Sequence, residues 1–169
     1  ARRSLRAEIG EGVAWLWRHP LIRYMAWLTG ALNFAGGLDL ILIVFARQQG
    51  ASAATIGAIF ALAGGAGLLG ALLAPRVQRR LSFGRAIIGF CWCTASIYAA
   101  FAAANSLPIV AVILMVYFLI GPTYDTVQYS YRLALIPDAL QGRVNSVFRL
   151  VAQGMRPLGV ALTGLSIDY

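Results

Sequence analysis

The sequence predicts an all-α membrane protein, a polytopic bundle of helices. Of its 169 residues 60% are hydrophobic and only 12% charged, and the mean hydropathy is +0.74, a balance that ordinary soluble domains do not show. The apolar residues are gathered into five runs of about twenty residues, each long enough for a helix to cross roughly 30 Å of hydrocarbon. None of these runs alternates with period two, so helices rather than a closed barrel must satisfy the backbone in lipid.

Residues 1–20 are expected to form a lead-in amphipathic helix or linker. Leu5, Ile9, Val13 and Trp17 recur every four positions, the spacing of a helix lying on a membrane surface. Residues 21–169 then hold spans at about 22–46, 54–74, 86–104, 107–130 and 144–166. In the first, Asn33 and Asp39 flank the pair Gly36-Gly37, where a transporter helix bends and exposes carbonyls. The second carries Gly57-x-x-x-Ala61-x-x-x-Gly65 and Ala63-x-x-x-Gly67-x-x-x-Ala71, small residues that let helix backbones approach closely. The third contains Cys91 and Cys93, placed on opposite faces and read as apolar packers, with neither a disulfide nor a metal pair. The fourth runs past the membrane to Ile136 and contains Pro122, which cannot donate to the Phe118 carbonyl and predicts a kink. The fifth contains Pro157, which should release the carbonyl of Gln153 in the same way.

The basic residues are all arginine, and the formal charge is +8. Their placement between apolar runs argues against a nucleic-acid face and for lipid and topology. Arg2, Arg3, Arg6, Arg18 and Arg23 precede or open the first span, Arg76, Arg79, Arg80 and Arg85 follow the second, and Arg132 and Arg143 follow the fourth. Those segments hold eleven arginines; the alternate connections hold only Arg47. The bias places the N-terminus in the cytoplasm and Tyr169 outside.

Ionisable groups inside a bilayer cost about 2.5–3.5 kcal/mol near its centre and normally face a bundle interior or water. On the fifth span Asn145, Arg149, Gln153 and Arg156 fall within a sector of roughly 80°. On the fourth, Tyr117, Tyr124, Gln128 and Tyr131 share a stripe with Asp125 and Arg132 at its flank; Tyr129, Tyr131 and Arg132 suit the membrane interface. The substrate-cavity candidates are therefore Asn33, Tyr117, Tyr124, Gln128, Arg149, Gln153 and Arg156. Asp39 and Asp125 are candidates for proton coupling. Enzyme chemistry finds no foothold: there is no G-x-S-x-G, no H-E-x-x-H, and His19 is the single histidine, which also removes a histidine metal site. No cofactor is called for.

Several landmarks carry a family resemblance: Glu11-Gly12-x5-Arg18-His19-Pro20, Asn33-Phe34, Leu73-Ala74-Pro75-Arg76 with Arg79-Arg80, and Pro137-Asp138-x-Leu140-x-Gly142-Arg143-Val144-Asn145. In this order they resemble the C-terminal half of major facilitator superfamily transporters, in the branch of enterobactin exporters and macrolide-efflux proteins. The resemblance implies that the five spans are the seventh through eleventh of twelve, in a segment lacking the N-terminal half and the last helix. It implies a multi-pass protein of the plasma membrane, the inner membrane of a bacterium, working by alternating access in proton-coupled efflux of a small amphipathic molecule, drug-like or siderophore-like. Its partners would be the bilayer, the transported solute and the other half of the carrier. The family's loop motif is degenerate: Gly70 leads to Pro75-Arg76-Val77-Gln78-Arg79-Arg80 without its acid, leaving Arg76, Arg79 and Arg80 as gating-loop candidates. The alternative is a non-transporting membrane scaffold or channel-like subunit.

Overall fold

The computed structural model describes residues 5–36 and 38–167, with side chains from Glu8 to Leu165 apart from Gly37; Arg2, Arg3, Leu5, Arg6 and Tyr169, used in the sequence reading, lie outside those descriptions in whole or in their side chains. Among the described residues seven α-helices follow one another: α1 (Leu5–Arg18), α2 (Pro20–Phe34), α3 (Leu38–Gln48), α4 (Ala53–Arg80), α5 (Phe83–Ala102), α6 (Leu107–Leu135) and α7 (Gln141–Ile167), with a 3-10 turn at Asp138–Leu140 before the last. No strand occurs among the described residues.

Among the described residues four stretches are long and apolar enough to cross a membrane: Pro20–Gln48, Ala53–Arg80, Phe83–Ala102 and Leu107–Leu135. The expected fifth, α7, has 27 residues and ample length, but it does not belong with them. Arg143, Arg149 and Arg156, with Gln141, Asn145 and Gln153, make it too polar. The first stretch is divided, as the glycine pair predicts: α2 ends at Phe34 and α3 begins at Leu38. At the end of α2, Ala35 donates to Ala31 and Gly36 to Asn33, so two helix-terminal carbonyls are satisfied locally. Pro75, Pro122 and Pro157 all lie inside helices that continue past them.

The outward surface is apolar. Leu68, Leu69, Leu72, Ile88, Trp92 and Val112 are all exposed, whereas the fully buried positions of α4 are Ala63 and Ala74. Large residues outside and small ones at helix contacts invert the soluble pattern and suit a helical membrane protein, in which lipid offers no hydrophobic drive between helices.

The chain forms two compact units. One comprises residues 38–131, with a core of Leu42 and Ala46 from α3, Ile56, Ile59 and Ala63 from α4, and Val110 and Leu114 from α6. The turn from α3 to α4 is closed at Gly50, whose φ of 74° suits a residue without Cβ. Ala51 donates to the Ala46 carbonyl and Gly50 to that of Arg47, the paired C-terminal cap that a glycine at this point permits. Ser52 then caps α4 through the Thr55 amide at 3.1 Å. Gln49 reaches the Asn105 carbonyl at 3.5 Å, so the turns 49–52 and 103–106 lie at one end. At the other, Phe83 stacks on Tyr131 with ring centres 3.9 Å apart. Arg76, Arg79, Arg80 and Arg85 cluster toward that second end.

Close packing in α4 does not follow the first expected motif. Gly57, Ala61 and Gly65 are exposed within the chain, and a methyl group on either glycine would meet nothing within 4 Å. The buried row is Ile56, Ile59, Ala63, Ala66, Gly70 and Ala74. Gly70 is its point of closest approach: a Cβ there would come within 2.0 Å of the Leu119 carbonyl oxygen. Of the second motif, Ala63 and Gly67 pack inward, Gly67 facing Phe118, and Ala71 does not.

The other unit comprises residues 1–37 and 132–169, in which α7 packs along α2 and α1. Gly30 and Gly159 let α2 and α7 touch: a Cβ on Gly159 would lie 1.9 Å from the Phe34 carbonyl oxygen, and one on Gly30 would lie 3.2 Å from Met155 Cγ. In α1 the stripe of Ile9, Val13 and Trp17 is exposed, and the packed positions are Gly12 and the fully buried Leu16. His19 stacks on Trp15 at 3.7 Å and its Nδ1–H donates to the Trp15 carbonyl, a structural use of the lone histidine.

Candidate functional sites

The polar row of α7 is set by the way that helix is seated. Val144, Val147, Phe148, Ala152 and Gly159 are buried and Val151 and Met155 half-buried, which defines one packed face. Taking 100° per residue, Asn145, Arg149, Gln153 and Arg156 lie on the flank of that face, about a quarter turn or more around the helix. Arg149, Gln153 and Arg156 are exposed within the chain, and Asn145 is half-buried. Leu150 is exposed on the remaining side, and Leu158 and Leu165 are exposed at the edge of the packed face, so α7 has packed, polar and apolar surfaces.

Asn33 joins this assembly from α2. Its amide Nδ2 donates to the Ala152 carbonyl at 2.8 Å, one residue before the carbonyl that Pro157 deprives of its helical donor. Gln153, the next residue of α7, is exposed and lies about 100° around the helix from Ala152, so this bond does not itself bring the two candidate side chains together. Hydroxyls elsewhere in the unit are satisfied within their own helices, Thr29 by the Met25 carbonyl and Thr163 by that of Gly159, each at 2.9 Å.

The arginine-bearing end of α7 carries a feature that the sequence reading missed. Arg143 binds two carboxylates of α1, Glu8 at 3.2 Å and Glu11 through its other terminal nitrogen. A methyl group on Gly12 would lie 2.9 Å from the Arg143 carbonyl oxygen, so the two backbones meet beside the ion pairs. The readable signal was two acids three apart on an amphipathic helix, one face awaiting a cation. Arg132, expected at the membrane interface, is 8% exposed and lies 3.6 Å above the Phe148 ring. A guanidinium over an aromatic face keeps an attractive partner without water. Between them, Gln141 donates to Asp138 at 2.9 Å and ties the turn 138–140 to the start of α7.

In the other unit Tyr124 and Gln128 come together as the stripe requires. Both are buried, Gln128 to 2%, and its amide donates to the Tyr124 hydroxyl. Tyr124 stacks on Phe90 of α5 with ring centres 4.1 Å apart. Tyr117 is half-buried beside Phe118. Asp39 is half-buried in the first turn of α3, Asp125 is exposed on α6, and Tyr129 is half exposed. Of the loop arginines, Arg76, Arg79 and Arg80 are exposed on the last turns of α4, and Arg76 donates to the Leu72 carbonyl of its own helix. No three histidine, cysteine, aspartate or glutamate side chains gather into a metal-binding group among the described residues.

Tyr124, Phe90, Gly89, Thr123 and Arg85 border a cavity of about 350 Å³ among α4, α5 and α6. Its volume falls at the lower end of the roughly 300–1,000 Å³ typical of ligand sites. Comparison with known proteins adds no relative: no family model, no curated protein and no solved structure matches this chain.

Proposed function

We propose that this chain is part of a secondary active transporter of the major facilitator type, an exporter that exchanges protons for a small amphipathic molecule. In this reading the spans 22–46, 54–74, 86–104, 107–130 and 144–166 are the seventh through eleventh helices of a twelve-helix carrier in a bacterial inner membrane. The N-terminus of the segment is cytoplasmic, by the arginine bias. The missing half of the carrier supplies the other cavity wall.

The observation that carries the reading is the row Asn145, Arg149, Gln153 and Arg156, half-buried at Asn145 and exposed at the other three, on a helix already seated on its neighbour by another face. Each arginine held against lipid near the bilayer centre would cost about 2.5–3.5 kcal/mol, so the row calls for water or polar partners. A cavity between two halves offers both. That need also explains why α7 is too polar to rank with the four apolar stretches and still fits a fifth span. Asn33, Arg149, Gln153 and Arg156 are the cavity candidates of α2 and α7, and Tyr117, Tyr124 and Gln128 those of α6. Asp39 and Asp125 exchange protons as their access to water changes between the two states. Arg76, Arg79 and Arg80 hold the α4–α5 connection against its neighbours in one state and release it in the other.

Proton-driven efflux by the whole carrier, reconstituted in vesicles and challenged with a panel of amphipathic drugs and siderophores, tests this. Arg156→Ala and Asp39→Asn should each lower exchange at least tenfold with insertion unchanged. Undiminished exchange by both variants would remove the site assignment. Absence of any counterflow across the panel would favour a scaffold.

A further inference from the structure

The cavity among α4, α5 and α6 has a chemistry of its own, independent of whether the protein transports anything. We propose that it holds one acyl chain of an anionic phospholipid, whose phosphate pairs with Arg85. Along α4 the cavity extends from Gly70 to Leu81, about 16 Å at the helical rise, elongated as a hydrocarbon chain requires. Its inner wall is closed where Gly70 brings the α4 backbone against Leu119, an approach any larger residue would forbid. The Phe90–Tyr124 stack lines it with ring faces, and the Tyr124 hydroxyl is engaged by Gln128. At Gly89, which borders the cavity, a Cβ would meet nothing within 4 Å, so a larger side chain can be introduced there to occupy that space.

Charge selects the occupant. Among the lining residues Arg85 alone is charged, and it stands in the first turn of α5, beside the two-residue connection from α4. Arg76, Arg79 and Arg80 lie on the preceding turns, and the sequence contains no acid between Asp39 and Asp125. The arginine-rich end therefore attracts an anionic headgroup, and the apolar walls beyond it accept only a chain. A free inorganic anion would find few donors inside, and a zwitterionic lipid would leave the arginine cluster without a net counter-charge.

The test uses the protein in detergent after delipidation, with phosphatidylglycerol carrying a photoreactive group on its acyl chain. Adducts should map to 86–93 of α5 and 119–127 of α6. Unlabelled phosphatidylglycerol should compete about fivefold better than phosphatidylcholine, the factor one arginine near a lipid surface provides. Arg85→Gln, at an exposed position, should abolish that preference. Gly89→Leu should abolish the adducts by filling the cavity, with helix content by circular dichroism unchanged. Equal competition by the two lipids on the native protein, displacement by inorganic phosphate alone, or adducts that persist in Gly89→Leu would overturn the assignment. If Gly89→Leu fails to fold, the lipid preference of Arg85→Gln decides alone.

Discussion

Glycine substitutions separate contact from composition at the scale of single residues. Gly70 and Gly159 each face a backbone carbonyl at a distance no methyl group tolerates, whereas Gly57 and Gly64 face open space. Gly70→Ala and Gly159→Ala should each cost about 1–3 kcal/mol by forcing helices apart. Gly57→Ala and Gly64→Ala should be neutral or stabilise by up to about 1 kcal/mol, because alanine loses less entropy in a helix. Reversible unfolding in mixed micelles would measure all four, and equal losses would refute the contact argument. Arg143 is the second residue-scale case. Its side chain is 27% exposed and that of Glu11 42%, so solvent screens the pairs and each contributes about 0.2–1 kcal/mol. Arg143→Gln should therefore cost about 1 kcal/mol, less at high salt, and Glu11→Arg should be partly rescued by Arg143→Glu. Failure of the double variant to recover would mean that the backbone contact at Gly12, not charge, holds α1 to α7.

Much was legible in the sequence at the scale of elements because hydrophobic length is a local property. The four apolar stretches, the end of α2 at Phe34 and the extension of α6 to Leu135 all follow from runs of residues and from glycine. Which face of a helix packs depends on partners distant in sequence, and there the reading failed in part. The small-residue motif at Gly57, Ala61 and Gly65 has the right spacing and the wrong direction, since Ile56 and Ile59 bring more area to the core one position away. The partner of Arg132 was equally hidden, since Phe148, sixteen residues later, is folded beneath it. The polar row of α7 was legible because it lies on one element and needs only the helical period. It carries a prediction of its own. Single cysteines at Asn145, Arg149, Gln153 and Arg156 should react with a membrane-impermeant maleimide, those at Phe148 and Ala152 should be protected by packing, and those at Leu150 and Leu158 by lipid. Equal labelling of Leu158 and Arg156 would mean that the row does not face water.

Topology is a property of the whole chain, and the contacts sort the turns of residues 38–131 by end in a way that the charge-based expectation can be set against. Short connections force successive helices to run in opposite directions, so turns alternate between two ends. In the unit of residues 38–131 the Gln49–Asn105 contact joins the two turns of one end, and the Phe83–Tyr131 stack marks the other. The first end carries Arg47 alone, the second the cluster from Arg76 to Arg85. A random placement of arginines would not sort itself by the ends of a bundle, whereas retention of basic loops in the cytoplasm would. Alkaline phosphatase fused after Gln49 or Asn105 should accordingly be active, and fused after Ser82 or Asp138 inactive, with fluorescence from a cytoplasmic reporter following the opposite order. The Asp138 fusion is the demanding one, because it requires α6 to cross and return the chain to the arginine-rich side before α7 begins. Activity there, with the other three as expected, would place α7 on the wrong side to line a cavity with α2 and would leave its arginines to a surface role.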